Sequence, residues 1–374
     1  MWAWPPPPVA RPVTPQTCEP PPGTSYHRIA RTERHRWWRP LLALLVAVSS
    51  ILLLSVFVIL VVELLAIIRK IPNNAELLGG DPLFDLVLNL LLIILMIPVV
   101  AFAVRFVQKR RFGSLSSVEG RLRWSWLWVC ALVSLVCVAL SFGYLITLLT
   151  VTDAGEPLFG EPVGLRPFLI SMAFIIALVP FQAAAEEYAT RGFLMQLVGS
   201  YGSTPAERAA RRARKAEQRA ARTGAALENP PAESRLVASW NRFLAAPLLG
   251  ILVSGLVFTV MHDYLDWALA DVALFGLAMA WLTWYTGGLE AAITLHVVHN
   301  LGAFGFSAYE GLPDPSGSTG SWEGLSATAI EIVLYCLIVV WLARRRGLRR
   351  TTPGRNDSGS LQTPARHAGR SLQG

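Results

Sequence analysis

The sequence predicts an all-α polytopic membrane protein, with about eight transmembrane helices enclosing a polar site inside the bilayer. Three observations carry that expectation. The chain is 53% hydrophobic over 374 residues. Its apolar residues gather in runs of about 18 or more, long enough to cross a bilayer. The ionisable groups within those runs concentrate in three short stretches. Such a composition is too apolar for an ordinary soluble domain, and the chain is too long for a single-span anchor.

The clearest runs are 40–68, 83–107, 123–151, 167–200, 267–287 and 325–343. A seventh covers 244–264, and a more polar eighth, 289–307, contains two histidines and an asparagine. The first run is long and lacks a small-residue cleavage site after it, so it is expected to stay as a span and not to act as a cleaved signal peptide. Arginine and lysine placement sets the orientation. Arg28, Arg31, Arg34, Arg36 and Arg39 precede the first span, and Lys109, Arg110, Arg111, Arg121 and Arg123 lie between the second and third. "AERAARRARKAEQRAAR" lies between the fourth and fifth, and "RRRGLRR" follows the last. The alternate loops are acidic or neutral, except for Arg69 and Lys70. Both termini are therefore expected in the cytoplasm, and the net charge of +8 is mostly a topology signal. No nucleic-acid partner is expected.

The Pro/Arg-rich residues 1–39 and the basic residues 344–374 are expected to be disordered, flanking a transmembrane domain over 40–343. The basic insert 203–240 is expected to be helical around 205–226, to lie against anionic lipid headgroups or solvent, and to gate or recruit substrate. Cys18, Cys130, Cys137 and Cys336 form no CxxC pair, so neither a zinc site nor a disulfide framework is implied.

The three polar stretches are "AAAEEYATRGF" with Glu186, Glu187 and Arg191, "VFTVMHDYLDWALAD" with His262, and "LHVVHNLGAF" with His296, His299 and Asn300. Ionisable groups are costly in a membrane and suggest function. Glu187 and Arg191 stand four residues apart and can pair on one helix face, leaving Glu186 about 100° round. His296 and Asn300 share a face, and Phe258 places a ring beside His262 in the same way. Helical rise puts Glu186 and His262 roughly 21 and 24 Å from the cytoplasmic side, level enough to meet. A carboxylate with an imidazole can take a proton from water, and a second imidazole with a carboxamide can donate to an oxyanion; amide hydrolysis needs both. A metal version would have Glu186, His262 and His296 ligate zinc, although there is no HExxH. A proton-coupled transporter and an inactive scaffold also suit parts of the pattern.

"EEYATR" fits EExxxR, "FTVMH" fits FxxxH and "HVVHN" fits HxxxN, in that order over about 115 residues. The chain in this respect resembles the CAAX protease and bacteriocin-processing (CPBP, or Abi) family of intramembrane endopeptidases, over roughly residues 167–306. The resemblance implies a multi-helix fold with a lipid-shielded site, and a glutamic or metallo-type peptidase. Glu186 and His262 would activate water, His296 and Asn300 would stabilise the oxyanion, and Glu187 and Arg191 would support them. No cofactor is required by this reading, which favours the metal-free form over zinc. The expected substrate is a membrane protein or membrane-associated peptide, and the Arg/Ala-rich composition points to a bacterial plasma membrane. An inactive scaffold or immunity-type protein of the same fold is the alternative.

Overall fold

The computed structural model of the protein describes residues 17–70, 81–152, 160–224, 233–312 and 320–354. Among these residues the regular structure is helical, apart from two isolated β-bridges. We label the helices α1 (Trp38–Arg69), α2 (Pro82–Val107), α3 (Trp124–Thr152), α4 (Leu165–Gly199), α5 (Pro205–Thr223), α6 (Arg235–Ala245), α7 (Pro247–Val260), α8 (Asp266–Thr286), α9 (Glu290–Tyr309) and α10 (Trp322–Arg345).

Six of them, α1, α2, α3, α4, α8 and α10, are long and apolar enough to cross a membrane. The α6–α7 pair reaches seven if counted as one span, but it is bent by 49°. The protein is thus an all-α polytopic membrane protein with six or seven candidate spans by composition, against about eight expected. The difference lies in α9. It forms over almost the range expected, yet Glu290, His296, His299 and Asn300 lower its hydropathy. A helix this polar is stable at membrane depth only if it turns those groups toward protein, and the first turns of α9, Glu290 through His296, are buried.

Local chemistry sets the helix boundaries. Pro247 stands at the first position of α7, where a missing N–H costs nothing, so the span starts there and not at 244. Thr204 and Glu207 form a reciprocal capping box at the start of α5, again with proline at the first position. Helix α9 packs between α3 and α4, α8 lies against α7 and α10, and α2 covers α4. The close approach of α7 and α8 needs Gly255, where a Cβ would lie 3.1 Å from the Leu277 Cα. Helix α1 is peripheral, with Leu45, Leu53 and Leu60 facing outward.

The turn between α8 and α9 is sunk into the protein. Gly287 takes a left-handed φ of 72°. The Val118 N–H donates to the Gly287 carbonyl and the Leu289 N–H to the Ser116 carbonyl, both at 2.9 Å. Arg123 clamps the turn with a two-point ion pair to Glu290, 2.9 Å from Nε to Oε1 and 2.6 Å from Nη2 to Oε2. A Cβ at Gly288 would stand 2.4 Å from both the guanidinium and the carboxylate. This turn sets the depth at which α9 begins, and with it the depth of His296.

The terminal segments correct an expectation. Residues 1–16 and 355–374 lie outside the described residues, but 17–39 and 344–354 are packed, not disordered. Tyr26, His27 and Ile29 are buried. The Tyr26 hydroxyl donates to the Leu115 carbonyl, and Thr24 and Thr352 pair the two ends of the chain. Arg28 makes a two-point bond to Glu207 at 3.0 and 2.8 Å, and Arg31 bonds the Ser200 carbonyl at 2.7 Å. Proline and arginine content suggested solvation, whereas Tyr26, Ile29 and Ala30 are buried and Arg28 and Arg31 bond to the body of the protein. The expected helix in the basic insert is present as α5.

Burial, with a smaller push from Arg28, lowers the His27 pKa from 6.5 to about 4, against the hydrogen bond to the Ala245 carbonyl. The detached segment binds a proton near pH 6.5 that the packed one refuses until about 4. Docking is therefore fully stable above about 6.5 and weakens as pH falls through that window. We expect the opening equilibrium of residues 26–31 to rise about thirtyfold between pH 7.5 and 5. Amide exchange corrected for its intrinsic pH dependence measures this, and a His27→Gln variant should lose that share of the dependence, leaving only what His35, lowered to about 4 by burial and its neighbouring arginines, contributes.

Candidate active site

Helix α4 carries the first group of polar residues. Its regular α-helical bonding gives way to a π-helical turn over Tyr188–Leu194, directly after the two glutamates. Such wide turns reorient side chains and often accompany functional sites. The Glu187–Arg191 pair survives the change of pitch, with Nη1 to Oε1 at 2.8 Å and both side chains wholly buried. Arg191 is further held by the Gly276 carbonyl at 3.1 Å and lies 4.0 Å from the centroid of the Phe258 ring. Helices α4, α7 and α8 are thus pinned by one guanidinium.

His296 of α9 reaches both glutamates. Its Nδ1 is 2.9 Å from Glu187 Oε1, and its Nε2 is 3.3 Å from Glu186 Oε2. A carboxylate paired with a guanidinium acts as an acceptor, so Nδ1 carries a hydrogen toward Glu187, whose other partner is Arg191. Nε2 and Glu186 Oε2 then face each other as two acceptors unless one proton lies between them. Oε2 is buried and has no aligned hydrogen-bond donor, while Oε1 accepts from the Gln182 amide at 2.7 Å. An under-satisfied carboxylate oxygen beside an imidazole nitrogen is an arrangement suited to accepting a proton from a third group, such as water.

Asn300, one turn after His296, donates to Gln182 Oε1 at 3.3 Å. Gln182 therefore links Glu186 and Asn300, although the sequence analysis did not single it out. The signal was present: Gln182 and Glu186 stand four residues apart in "FQAAAEE". The Phe258 and Phe275 rings meet His296 edge-on, at centroid separations of 5.7 and 5.3 Å. They give the imidazole an apolar wall.

His262 is placed differently from the expected direct meeting with Glu186. α7 ends at Val260, and His262 lies in the following turn, half-buried. Its Nδ1 bonds the Phe258 carbonyl at 2.7 Å. A carbonyl only accepts, so the hydrogen is on Nδ1 and Nε2 offers a free lone pair. The His262 ring packs at a tilt on Phe258, 4.6 Å between centroids, and stands 5.7 Å from Tyr264, which in turn interacts electrostatically with Glu186. His262 and His296 thus flank the same phenylalanine. His299 points away from the pair and bonds buried Glu331 of α10 at 3.0 Å, a partner that lies far off in sequence.

The trio Glu186, His262 and His296 does not form a metal-ligating set, and among the described residues no three His, Cys, Asp or Glu side chains do. With Nδ1 of His262 committed to a carbonyl and Glu186 engaged with Gln182 and His296, the three do not converge on one point.

Residues 167–302 match the family model described as "Type II CAAX prenyl endopeptidase Rce1-like". This is the segment that holds all three motifs, and it agrees with the CPBP resemblance. At family level it supports an intramembrane peptidase of the CAAX-protease type. The chain is also similar to the uncharacterized protein YyaK of Bacillus subtilis (strain 168), 24% identical over 335 residues, covering 82% of this chain and 93% of that protein. No solved structure matches the chain.

Proposed function

We propose that the protein is an intramembrane endopeptidase of a bacterial plasma membrane, with both termini cytoplasmic, which hydrolyses a peptide bond in a membrane protein or membrane-associated peptide. The observation that carries this reading is the buried, under-satisfied Glu186 Oε2 beside His296 Nε2. Water entering the site meets a carboxylate able to take its proton, and the free Nε2 of His262, whose ring also packs on Phe258, is a second acceptor. Hydroxide adds to the scissile carbonyl. The oxyanion is stabilised by the Asn300 amide, once substrate displaces Gln182 from it, and by His296, whose Nε2 becomes an N–H donor when it shares the proton that Glu186 has taken from water. The proton gathered on the Glu186–His262 side is returned to the leaving amine. Glu187 and Arg191 hold His296 in the tautomer and orientation this sequence requires.

The test uses purified protein in liposomes with a set of hydrophobic single-span peptides, reading new termini by mass spectrometry. Asn300→Ala should lower kcat by about a hundredfold with KM little changed. Peptides that are all left intact by well-folded wild-type protein, together with solute flux across the same liposomes, would replace the peptidase with a transporter.

A further inference from the structure

Helix α6 has an apolar face that no protein covers. Leu236, Trp240 and Phe243 recur at helical spacing and are 85%, 61% and 50% exposed. Trp240 and Phe243 stack at 5.7 Å, and none of the eleven residues of α6 is buried. Exposed aromatic residues on a charged amphipathic helix are the mark of a segment lying in a membrane interface. Their setting supplies the occupant. α6 runs into the apolar helix α7 after one intervening residue, Ala246, with a bend of 49°, and Leu248 of α7 continues the exposed apolar surface. The apolar face is therefore continuous with the lipid-facing surface of a span.

Helix α5 adds charge beside it. Arg211, Arg214, Lys215, Arg219 and Arg222 are exposed on α5, against one exposed acid, Glu217, that is not engaged at the helix start. Glu207 is held by Arg28. Arg208, on the inward face, is bonded to Glu233 at 2.7 Å, next to the start of α6. Gly202 packs against Asn241 and Ala245 so closely that a Cβ there would stand 2.6 Å from the Ala245 nitrogen. The two helices are thus tied together at the same end of the bundle, one presenting a free apolar face and the other a free cationic one.

We propose that α5 and α6 form a lipid-binding surface. α6 lies at the membrane interface with Leu236, Trp240 and Phe243 among the acyl chains, and the exposed cations of α5 collect anionic headgroups of the same leaflet. The site is independent of the peptidase chemistry. A preference for anionic lipid follows from the five cations, and insertion follows from the three apolar side chains.

The test uses the full chain in nanodiscs of phosphatidylcholine alone or mixed with phosphatidylglycerol. A spin label at Trp240→Cys, with Cys18 and Cys336 replaced by serine, should be reached better by oxygen than by a water-soluble nickel complex. Phosphatidylglycerol retained on the purified protein should exceed its share in the surrounding lipid. Each cation neutralised among Arg211, Arg214, Lys215, Arg219 and Arg222 by substitution with Gln should lower that enrichment by up to about fivefold, and high salt should reduce it further. Enrichment unchanged in the five-Gln variant, or a label at 240 that the nickel complex reaches freely in both lipids, overturns the proposal. Retention of an acidic peptide in place of lipid, under the same salt, would assign the cationic face to a protein partner and overturn it equally.

Discussion

Glu186→Gln is expected to lower peptide hydrolysis by about a thousandfold, the scale on which a positioned general base contributes. The substitution keeps the shape and leaves the Gln182 contact possible, so folding should survive. What it removes is the proton-accepting Oε2 that faces His296 at 3.3 Å. Substrate affinity should change little, because the loss falls on a group whose work is done in the transition state. Single-turnover cleavage in liposomes measures the effect, with binding followed separately by crosslinking. A variant that cleaves within a few fold of wild type contradicts the role given to Glu186.

The second large effect concerns stability. Glu187 and Arg191 are fully buried, and removing one charge strands the other. Glu187→Gln or Arg191→Met alone should cost about 3–5 kcal/mol, the usual penalty for half a buried pair. The double substitution Glu187→Gln with Arg191→Met should recover much of that cost, since it removes both charges at once. Activity should not return with it, because His296 then lacks the carboxylate that fixes its Nδ1 hydrogen. Thermal unfolding in detergent combined with the cleavage assay separates the two consequences. Additive losses of stability would show that the charges do not act as a pair.

The expected spans and the i, i+4 Glu187–Arg191 pair were legible in the sequence because both follow from helical periodicity. The two glycines of "TGGLE" mark a turn before α9 in the sequence, but nothing local reveals its anchor. Arg123 and Glu290 lie far apart in the chain, and no local pattern connects them. The same holds for His299 and Glu331. Arginine was the least transparent residue. Loop arginines gave a consistent orientation signal, yet Arg28, Arg31, Arg110 and Arg123 are spent on internal bonds. Arg110 is wholly buried, bonded to Gln108, Ser114 and Gln196, and burial lowers its pKa to about 9. A charge count cannot distinguish an arginine that faces phosphate from one that ties loops together. Hydropathy places the start of α7 three residues early, at 244, because the apolar Leu244, Ala245 and Ala246 carry it back across Pro247, which marks the helix start.

If Glu186 activates water for peptide hydrolysis, its loss must alter which membrane proteins are cleaved in the cell. The most direct measurement compares membrane proteins and released peptides, by mass spectrometry, in a deletion strain complemented with wild type or with Glu186→Gln at equal expression. We predict shortened chains or new peptides with wild type that are absent with the Gln variant. Identical profiles from the two strains would contradict the account.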